Sequence, residues 1–564
     1  MPKAVELLRQ GRNEELWQMC CGFISLNTTQ FMEIQERLLL QQLELLNNCP
    51  LGAKIMRGAK PRTLDEFRSF APLTTYKDYC PELLEKREDV LPARPAEWVR
   101  TSGKSGEYSC KWIPMTPEFS RELSIVCYGV GIFSACTDWG DISHNTGCPR
   151  IVYAVAPRPY MSGAMAKMLE IQSPSRYLPP LDKAESLSFQ ERVAQGFSLA
   201  LSQGFDYFFG LSLVLVTVGD RFSQASSKTA ILPLLLRPRA LFRLARGMVR
   251  SKLAKRPILP RDLWSIKGIM SGGLDSWIYK ERIKELWGRY PLDVYSGTEG
   301  GIYATQTWDY DSMTFIPNLN FLEFIPEEEH LKWQMDRSYQ PQTLLLDELK
   351  EGENYEIVIT NFHGGALVRY RPGDMIRITS MCNEKLGIKL PQAVFVSRAD
   401  DIIDFGVVRA SEKAIWQAIE NTGVPYADWV AYRNVGEQTL NLYIETKDGS
   451  EVKETEIADA VYRHIMKSNE EAHARSDFHD DPADIVDFKV KVSFLPAGTF
   501  AGYTARKQAE GVDLAHLKPP HVNPRDEVLS QLLAEQEEII VVTRAGEKTA
   551  IESSAGEEKT TVNP

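Results

Sequence analysis

An α/β fold is what this sequence predicts, and three observations carry that prediction. Apolar runs with strand character alternate with amphipathic helical runs between about residues 119 and 297. Short β runs punctuated by Gly and Pro follow, at 355–362, 366–370 and 375–379. After about residue 397 a smaller α+β unit begins, beyond the charged junction RADDIIDFG at 398–406.

In chain order, residues 30–47 (QFMEIQERLLLQQLELLN) have helical apolar spacing and high helix propensity. A polar, Pro-rich stretch runs from there to about residue 97. Residues 119–136 (FSRELSIVCYGVGIFSAC) predict a helix packed behind the loop that precedes it. PRIVYAVA at 149–156 predicts a buried strand, and the apolar run at 212–218 predicts another. SWIYKERIKELWGRY at 276–290 predicts an amphipathic helix, followed by the strand PLDVYS. The β runs YEIVITNF, ALVRY and MIRIT predict a compact β subdomain. In the last unit a helix starts at Ser411 as N-cap and stops near Gly423. DWVAYRN and LNLYIET (428–434, 440–446) predict paired strands, 454–467 a helix and 486–494 a strand. The tail from about residue 545 is small, polar and charged, as disordered segments are.

The 564 residues carry a net charge of −11 and a pI near 5.5. An overall basic field for nucleic acid is absent, and no nucleic-acid partner is expected. Nine cysteines, an odd number with no C-x-x-C pair, fit free thiols in a reducing, cytoplasmic setting. The N-terminus has no apolar core or cleavage site of a signal peptide. YFFGLSLVLVTV at 207–218 is too short to span a bilayer.

The chemistry-bearing stretch nearest the N-terminus is RTSGKSGEYSCKWIP at 100–114. Its centre, Gly103-Lys104-Ser105, has the ending of a Walker A loop. The earlier glycine of that motif is replaced by Trp98, which argues against a P-loop NTPase. A Gly/Ser/Thr-rich turn between a strand and a helix turns several backbone N–H groups onto one anion. Thr101, Ser102 and Ser105 add hydroxyls, and Arg100, Lys104 or Lys111 adds charge. This suits the outer phosphates of a nucleotide; the plain alternative is a surface loop. YSGTE at 295–299 offers a ring for a purine and a carboxylate for a divalent metal bound to phosphates. RYRPGD at 369–374 ends in Asp374, which can accept hydrogen bonds from two ribose hydroxyls. Arg398 lies where it could reach the same ribose. Taken singly, each of these is an ordinary turn.

Taken in order, the four stretches resemble the adenylate-forming superfamily of acyl-CoA synthetases and adenylation domains, over roughly residues 30–525. More closely, the chain resembles the plant auxin-responsive (Gretchen Hagen) acyl-acid amido synthetases and their bacterial relatives. RTLDEFRSFAPLTTYKDY (62–79), NFHGGALVRYRPGDMIRI (361–378) and PAGTFAGYTARKQAEGVDLAHLKPP (496–520) carry that resemblance. It implies an adenylate-forming α/β architecture: a large N-terminal body over 1–396 for ATP and acid, a mobile lid over 397–525, and a helix and tail over 526–564. Residue by residue, it implies a phosphate loop at Thr101, Ser102, Gly103, Lys104, Ser105 and Gly106. Tyr295, Gly297, Thr298 and Glu299 match the adenine and Mg²⁺ motif, with Glu299 the metal-side carboxylate. Asp374 matches the ribose acceptor and Arg398 the arginine before the hinge, which falls at Asp400 or Asp401. Lys518 matches the mobile catalytic lysine. Lys104 stands where Thr or Ser is usual, and Ser397 where Gly often precedes the arginine.

The implied reaction uses ATP and Mg²⁺ to convert a carboxylic acid to an acyl-adenylate, which an amino acid or amine then attacks to give an amide. Coenzyme A as acceptor is the alternative, and a non-catalytic nucleotide or lipid-acid binding protein is the reading from another class. The acid is expected to lie among the 119–136 helix, the 205–218 region and SGGLDSW (271–277), with Tyr128, Phe133 and Phe209 as candidate lining residues that could equally be core.

Three further features stand apart. Residues 237–261 hold nine basic and no acidic residues, interspersed with leucine and methionine. This is either a solvated helix face or a peripheral contact with anionic lipid. HARSDFHDD at 473–481 fits no standard metal-ligand spacing and reads as a polar loop. His363, beside two glycines, reads as a turn residue.

Overall fold

The structure, a computed structural model, describes residues 2–101, 110–143, 148–224, 238–272, 276–336, 338–398, 402–405, 408–434, 438–447, 453–474, 489–509, 521–524 and 528–533. Two compact units divide the chain: Met1–Ser411 with Ile465–Asp487, and Glu412–His464 with Phe488–Pro564.

The first unit opens with helices whose apolar faces are buried. The helix Thr28–Leu46 begins where the Asn27 side chain accepts a hydrogen bond from the Gln30 amide. Its core-facing side carries two glutamines, Gln35 and Gln42, each 1% exposed. Buried amides need partners, and these find backbone. Gln35 donates to the carbonyls of Pro317 and Asn320 and accepts from Leu322 N–H. Gln42 donates to Gly365 O and accepts from Gly364 N–H, both at 2.8 Å. One helix thereby pins two loops of the sheet beneath it.

Strands β1 (Glu97–Arg100) and β2 (Trp112–Met115) form an antiparallel hairpin. A larger sheet takes its strands from β3 (Arg150–Ala154), β4 (Arg176–Leu178), β5 (Tyr207–Leu211), β6 (Gly268–Gly272), β7 (Leu292–Gly297), β8 (Gly301–Thr305), β9 (Met313–Phe315), β10 (Asn320–Pro326), β11 (Asn354–Asn361), β12 (Asp374–Ser380) and β13 (Gln392–Arg398). Among the described residues its order is β10-β11-β12-β13-β9-β8-β7-β6-β5-β3-β4. β3 to β7 pair in parallel, joined by crossovers that include the helices Met161–Gln172, Phe189–Gln203 and Ser276–Trp287. From β7 onward each pairing is antiparallel. The expected β runs YEIVITNF and MIRIT become β11 and β12 of this same sheet. ALVRY is no strand; its Tyr370 makes single bridges to Ile359 and Thr74.

The strand expected at 212–218 is instead the start of the helix Ser212–Gln224. From Leu213 to Val216 the run is uniformly apolar, so it shows neither a period of two nor one of 3.6. The strand ends at Leu211, and the helix after it packs against Ser276–Trp287, where Trp287 Nε1 donates to Leu215 O at 2.9 Å.

β14 (Ile402–Asp404) and β15 (Arg409–Ser411) form a small hairpin. In the second unit, β16 (Tyr426–Asn434) and β17 (Thr439–Thr446) pair antiparallel, as expected, and β18 (Lys489–Leu495) joins β17 in parallel. The helix Glu412–Asn421 lies between its expected start and stop. The buried carboxylate of Glu445 accepts from the amides of Gly498 and Phe500, both at 2.8 Å. It thus holds the start of the helix Thr499–Ala509 inside the Gly-Thr-Phe segment. No described helix is long and apolar enough to cross a membrane. All nine cysteines are free thiols.

Candidate active site

The site is built where the sheet changes from parallel to antiparallel pairing, at the carboxyl end of β7. Open sheets bind ligands at such places because strand ends leave a crevice there. The turn from β7 to β8 contains Gly297, Thr298, Glu299 and Gly300. Gly301 has φ +73°, a conformation glycine adopts without a Cβ penalty. A Cβ on Gly297 would lie 2.7 Å from the Tyr303 hydroxyl, so the ring can cover this turn only over glycine. Two buried amides fix the turn from below. Asn361 donates to Glu299 O at 2.9 Å, and Asn320 donates to Gly300 O at 2.7 Å. They also bond each other, Asn361 Nδ2 to Asn320 Oδ1 at 2.9 Å. The Glu299 backbone is therefore held while its carboxylate, 12% exposed, faces Lys111.

Lys111 Nζ lies 3.9 Å from Glu299 Oε1 and donates to the Tyr370 hydroxyl at 3.2 Å. The rings of Tyr76 and Tyr370 each lie 5.9 Å from the ammonium. Burial first, then the Glu299 carboxylate, pushes the Tyr370 hydroxyl well above its usual range, so it stays neutral and accepts from the lysine.

Asp374 is the first residue of β12 and is 7% exposed. The Tyr295 hydroxyl donates to its Oδ2 at 3.0 Å. Tyr295 packs against Tyr303 and Phe395, with ring centroids 4.9 and 5.8 Å away. In the register of β12 and β13, Asp374 stands opposite Arg398, so the backbone brings these two positions to the same strand ends. The approach to Asp374 is fixed by two buried ion pairs. Arg369 bonds both carboxylate oxygens of Glu323, at 2.9 and 2.8 Å. Arg371 bonds both of Glu356, at 2.9 and 2.6 Å. Burial alone would raise the Glu356 carboxyl; its hydrogen bonds to His330 and Arg371 outweigh that and hold it below the usual range. The 62–79 segment grips the same approach. Thr74 donates to Val368 O, the Tyr79 hydroxyl accepts from Val368 N–H, and Arg369 donates to Arg68 O and Ala71 O.

The loop at 100–114 departs from the expected strand-to-helix turn. It joins two antiparallel strands, and Thr101 and Lys111 extend their ladder by exchanging hydrogen bonds: Thr101 N–H to Lys111 O and Lys111 N–H to Thr101 Oγ1, both at 3.0 Å. No helix N-terminus follows the loop directly; the helix Pro117–Phe133 starts only after β2. The sequence hid this because both partner strands are only four residues long. Arg100 is buried against the rings of Tyr160 and Trp112.

Tyr295, Gly297, Thr298, Glu299 and Asp374 thus lie around the end of β7, and Thr101 lies at the mouth of the loop whose Lys111 meets Glu299. Ser102, Gly103, Lys104, Ser105, Gly106, Asp400, Asp401 and Lys518 lie outside the described residues, and of Arg398 only the backbone is described. Tyr76, Tyr370, Asn320 and Asn361 were not singled out as site residues. Asn361 and Tyr370 do fall within the NFHGGALVRYRPGD stretch. His363, at φ +57°, is a turn residue: its Nε2 meets Asn318 O at 2.7 Å and its carbonyl accepts from Thr116. Tyr128 and Phe133 are buried core, and Phe209 packs against the core from its edge.

A carboxylate on a held turn, with an ammonium and tyrosine hydroxyls brought to it from other elements, suits a polyphosphate with a divalent cation. Magnesium takes one or two protein carboxylates and fills the rest of its shell with phosphate and water. Glu299 fits that donor set, and no larger cluster of ligating side chains occurs among the described residues.

Two segments match family models: residues 20–137 the GH3 family N-terminal domain, and residues 313–398 the GH3 family central domain. A jasmonoyl–L-amino acid synthetase of Nicotiana attenuata is 32% identical over 161 residues, 28% of this chain and 26% of its own length. A 4-substituted benzoates–glutamate ligase of Arabidopsis thaliana is 31% identical over 155 residues, 26% of this chain and 24% of its own. The match thus spans about a quarter of each of these relatives. Among solved structures, an acyl acid amido synthetase in complex with 2,4-DB is similar over 91% of this chain and 95% of its own, at TM-score 0.51 and 15% identity. A 2-hydroxyisobutyryl-CoA ligase with 2-HIB-AMP and CoA is similar over 93% and 94%, at TM-score 0.50 and 13% identity. The chain has the fold of these ligases, as the adenylate-forming architecture anticipated.

Proposed function

We propose that the chain is a GH3-type ligase, as its matches to the N-terminal and central domain models of that family suggest, and that it joins a carboxylic acid to the amine of an amino acid, with ATP as co-substrate. The observation that carries this reading is the meeting of Lys111 with Glu299 and of Tyr295 with Asp374 at the end of β7.

A carboxylate is a poor acyl donor because its leaving group would be oxide. In the first step a carboxylate oxygen attacks the α-phosphorus of ATP, the bond to the bridging oxygen breaks, and pyrophosphate leaves. Charge gathers on phosphoryl oxygens, so positioning and electrostatics carry the catalysis. Asp374 accepts hydrogen bonds from the ribose hydroxyls. Tyr295, packed against Phe395, offers its ring to the base. Lys111 presents an ammonium to the phosphates, and amides of the 102–106 loop add neutral donors. Magnesium, held by Glu299 when bound, supplies neutralising charge at the phosphates. In the second step the amine nitrogen attacks the acyl carbon, the acyl–oxygen bond breaks, AMP leaves and the amine loses its proton. Lys518 supplies the ammonium of the first step from the segment 397–525, which serves as the lid and hinges at Asp400 or Asp401. Free thiols throughout support a cytoplasmic setting.

Products distinguish the acceptors. The protein is incubated with ATP and a panel of aryl and fatty acids carrying heavy oxygen in the carboxylate, with amino acids or with coenzyme A. The reading expects an amide together with AMP carrying one heavy oxygen. A thioester with no amide would reassign the acceptor to coenzyme A. Unlabelled AMP would contradict the adenylate.

A further inference from the structure

We propose that the helix Pro238–Leu253 is a docking face for an anionic lipid bilayer. The helix is anchored on one side only. Ala240 and Gly247 are buried, Leu244 packs against the core, and a Cβ on Gly247 would meet Leu263 at 2.5 Å. On the opposite side stand Phe242, Val249 and Leu253, which are 71%, 58% and 79% exposed. At 3.6 residues per turn these three fall within about 40° of one another around the helix. Single exposed apolar residues are ordinary. Three aligned along one solvent-facing line of one helix are not, because a solvated face would carry polar groups there.

The flanks of the apolar line give the partner its chemistry. Arg239, Arg246 and Arg250 run along one side and Lys252 along the other, all exposed, and none is ion-paired among the described residues. Arg256, by contrast, is neutralised by Asp262 through two bonds of 2.7 and 2.8 Å. Residues 237–261 contain no acidic residue in a chain of net charge −11, so the positive face is local. An apolar line bordered by basic side chains is the arrangement of a helix lying in the plane of a membrane surface. The apolar side chains enter the acyl boundary, and the long basic ones extend to lipid phosphates. The choice between a solvated face and a lipid contact, open in the sequence, turns on these exposures.

The test is co-sedimentation of the full-length protein with phosphatidylcholine vesicles, with and without phosphatidylglycerol. The proposal expects binding to the anionic vesicles, weakened by salt and nearly absent from the neutral ones. The pair Phe242→Ser and Leu253→Ser should reduce binding roughly tenfold or more, as should the pair Arg246→Glu and Arg250→Glu. All four positions lie on the surface, and matching thermal unfolding would verify that the variants fold. Wild-type protein that stays in the supernatant with anionic vesicles would overturn the proposal. So would binding that the serine pair leaves unchanged, or a dimer in solution that the serine pair dissociates, which would make the face a contact between copies of this chain.

Discussion

Asp374 has one oxygen on the Tyr295 hydroxyl and is 7% exposed, so its position is set before any ligand arrives. A hydrogen bond to a charged acceptor contributes about 1.5–3 kcal/mol. Asp374→Asn should therefore raise the KM for ATP by roughly ten- to a hundredfold while leaving the fold intact, as steady-state kinetics at varied ATP would register. Tyr295→Phe, which removes only the positioning contact, should have a smaller effect in the same direction. His521 is a second residue with a measurable signature. Its Nδ1 lies 2.6 Å from Glu412 and its Nε2 2.8 Å from Asp428, and it stacks on Trp429 at 4.5 Å. Burial would lower its pKa, but the two carboxylates outweigh burial and raise it to about 9. A pKa raised on folding stabilises fully below the unfolded value near 6.5, and the gain is lost as pH rises through about 9. The gain is roughly 3 kcal/mol. Thermal unfolding of His521→Gln should thus lag the native protein clearly at pH 6 and approach it above pH 9.5; a gap that persists undiminished at high pH would remove the charge from the explanation. The ladder around His521 gives this local weight: Ala431 N–H donates to His521 O and Asn523 N–H to Ala431 O, fixing 521–523 alongside β16. None of this cage was legible in the sequence, because its members stand 109 and 93 residues from His521. Tyr295 and Asp374 were legible, since each sits in a short run of Gly, Pro and aromatic residues whose chemistry reads locally.

At the scale of elements, the segment leading to Asp374 depends on ions buried in pairs. Glu323 is 1% exposed, and both its oxygens are held by Arg369. Arg369→Met would leave that carboxylate buried with its main partner gone. Removing one member of such a pair costs about 3–5 kcal/mol. Urea denaturation should show a loss of that order, and the double replacement of Arg369 and Glu323 by apolar residues should recover part of it. RTLDEFRSFAPLTTYKDY and NFHGGALVRYRPGD, far apart in the chain, meet in space: Arg68, Ala71, Thr74 and Tyr79 of the first bond Val368 and Arg369 of the second. Elements with a clear period were read well, such as Thr28–Leu46, Ser276–Trp287 and the pair β16 and β17. Two were misread. The helix beginning at Ser212 opens on a uniformly apolar stretch, its polar positions Thr217, Asp220 and Arg221 coming only later, and such a stretch reads equally well as a buried strand. The hairpin around the 102–109 loop has strands of four residues, too short for alternation to mark them.

Over the whole molecule, one sheet joins what the sequence presented as separate regions. Its parallel half is built by helical crossovers, its antiparallel half by turns, and β7 belongs to both. Glu299 lies just past that strand, and Asp374 and Lys111 reach the place from far along the chain. Composition and periodicity predicted the α/β class but could not predict that the halves are continuous, because strand order is set by long-range pairing. The adenylation proposed for this site is tested most directly by exchange of labelled pyrophosphate into ATP, measured across a panel of aryl and fatty acids with Lys518→Ala alongside. Acid-dependent exchange that falls roughly a hundredfold or more in the variant is the predicted result. Measurable ATP binding with no exchange for any acid, or exchange indifferent to both the acid and Lys518, would contradict it.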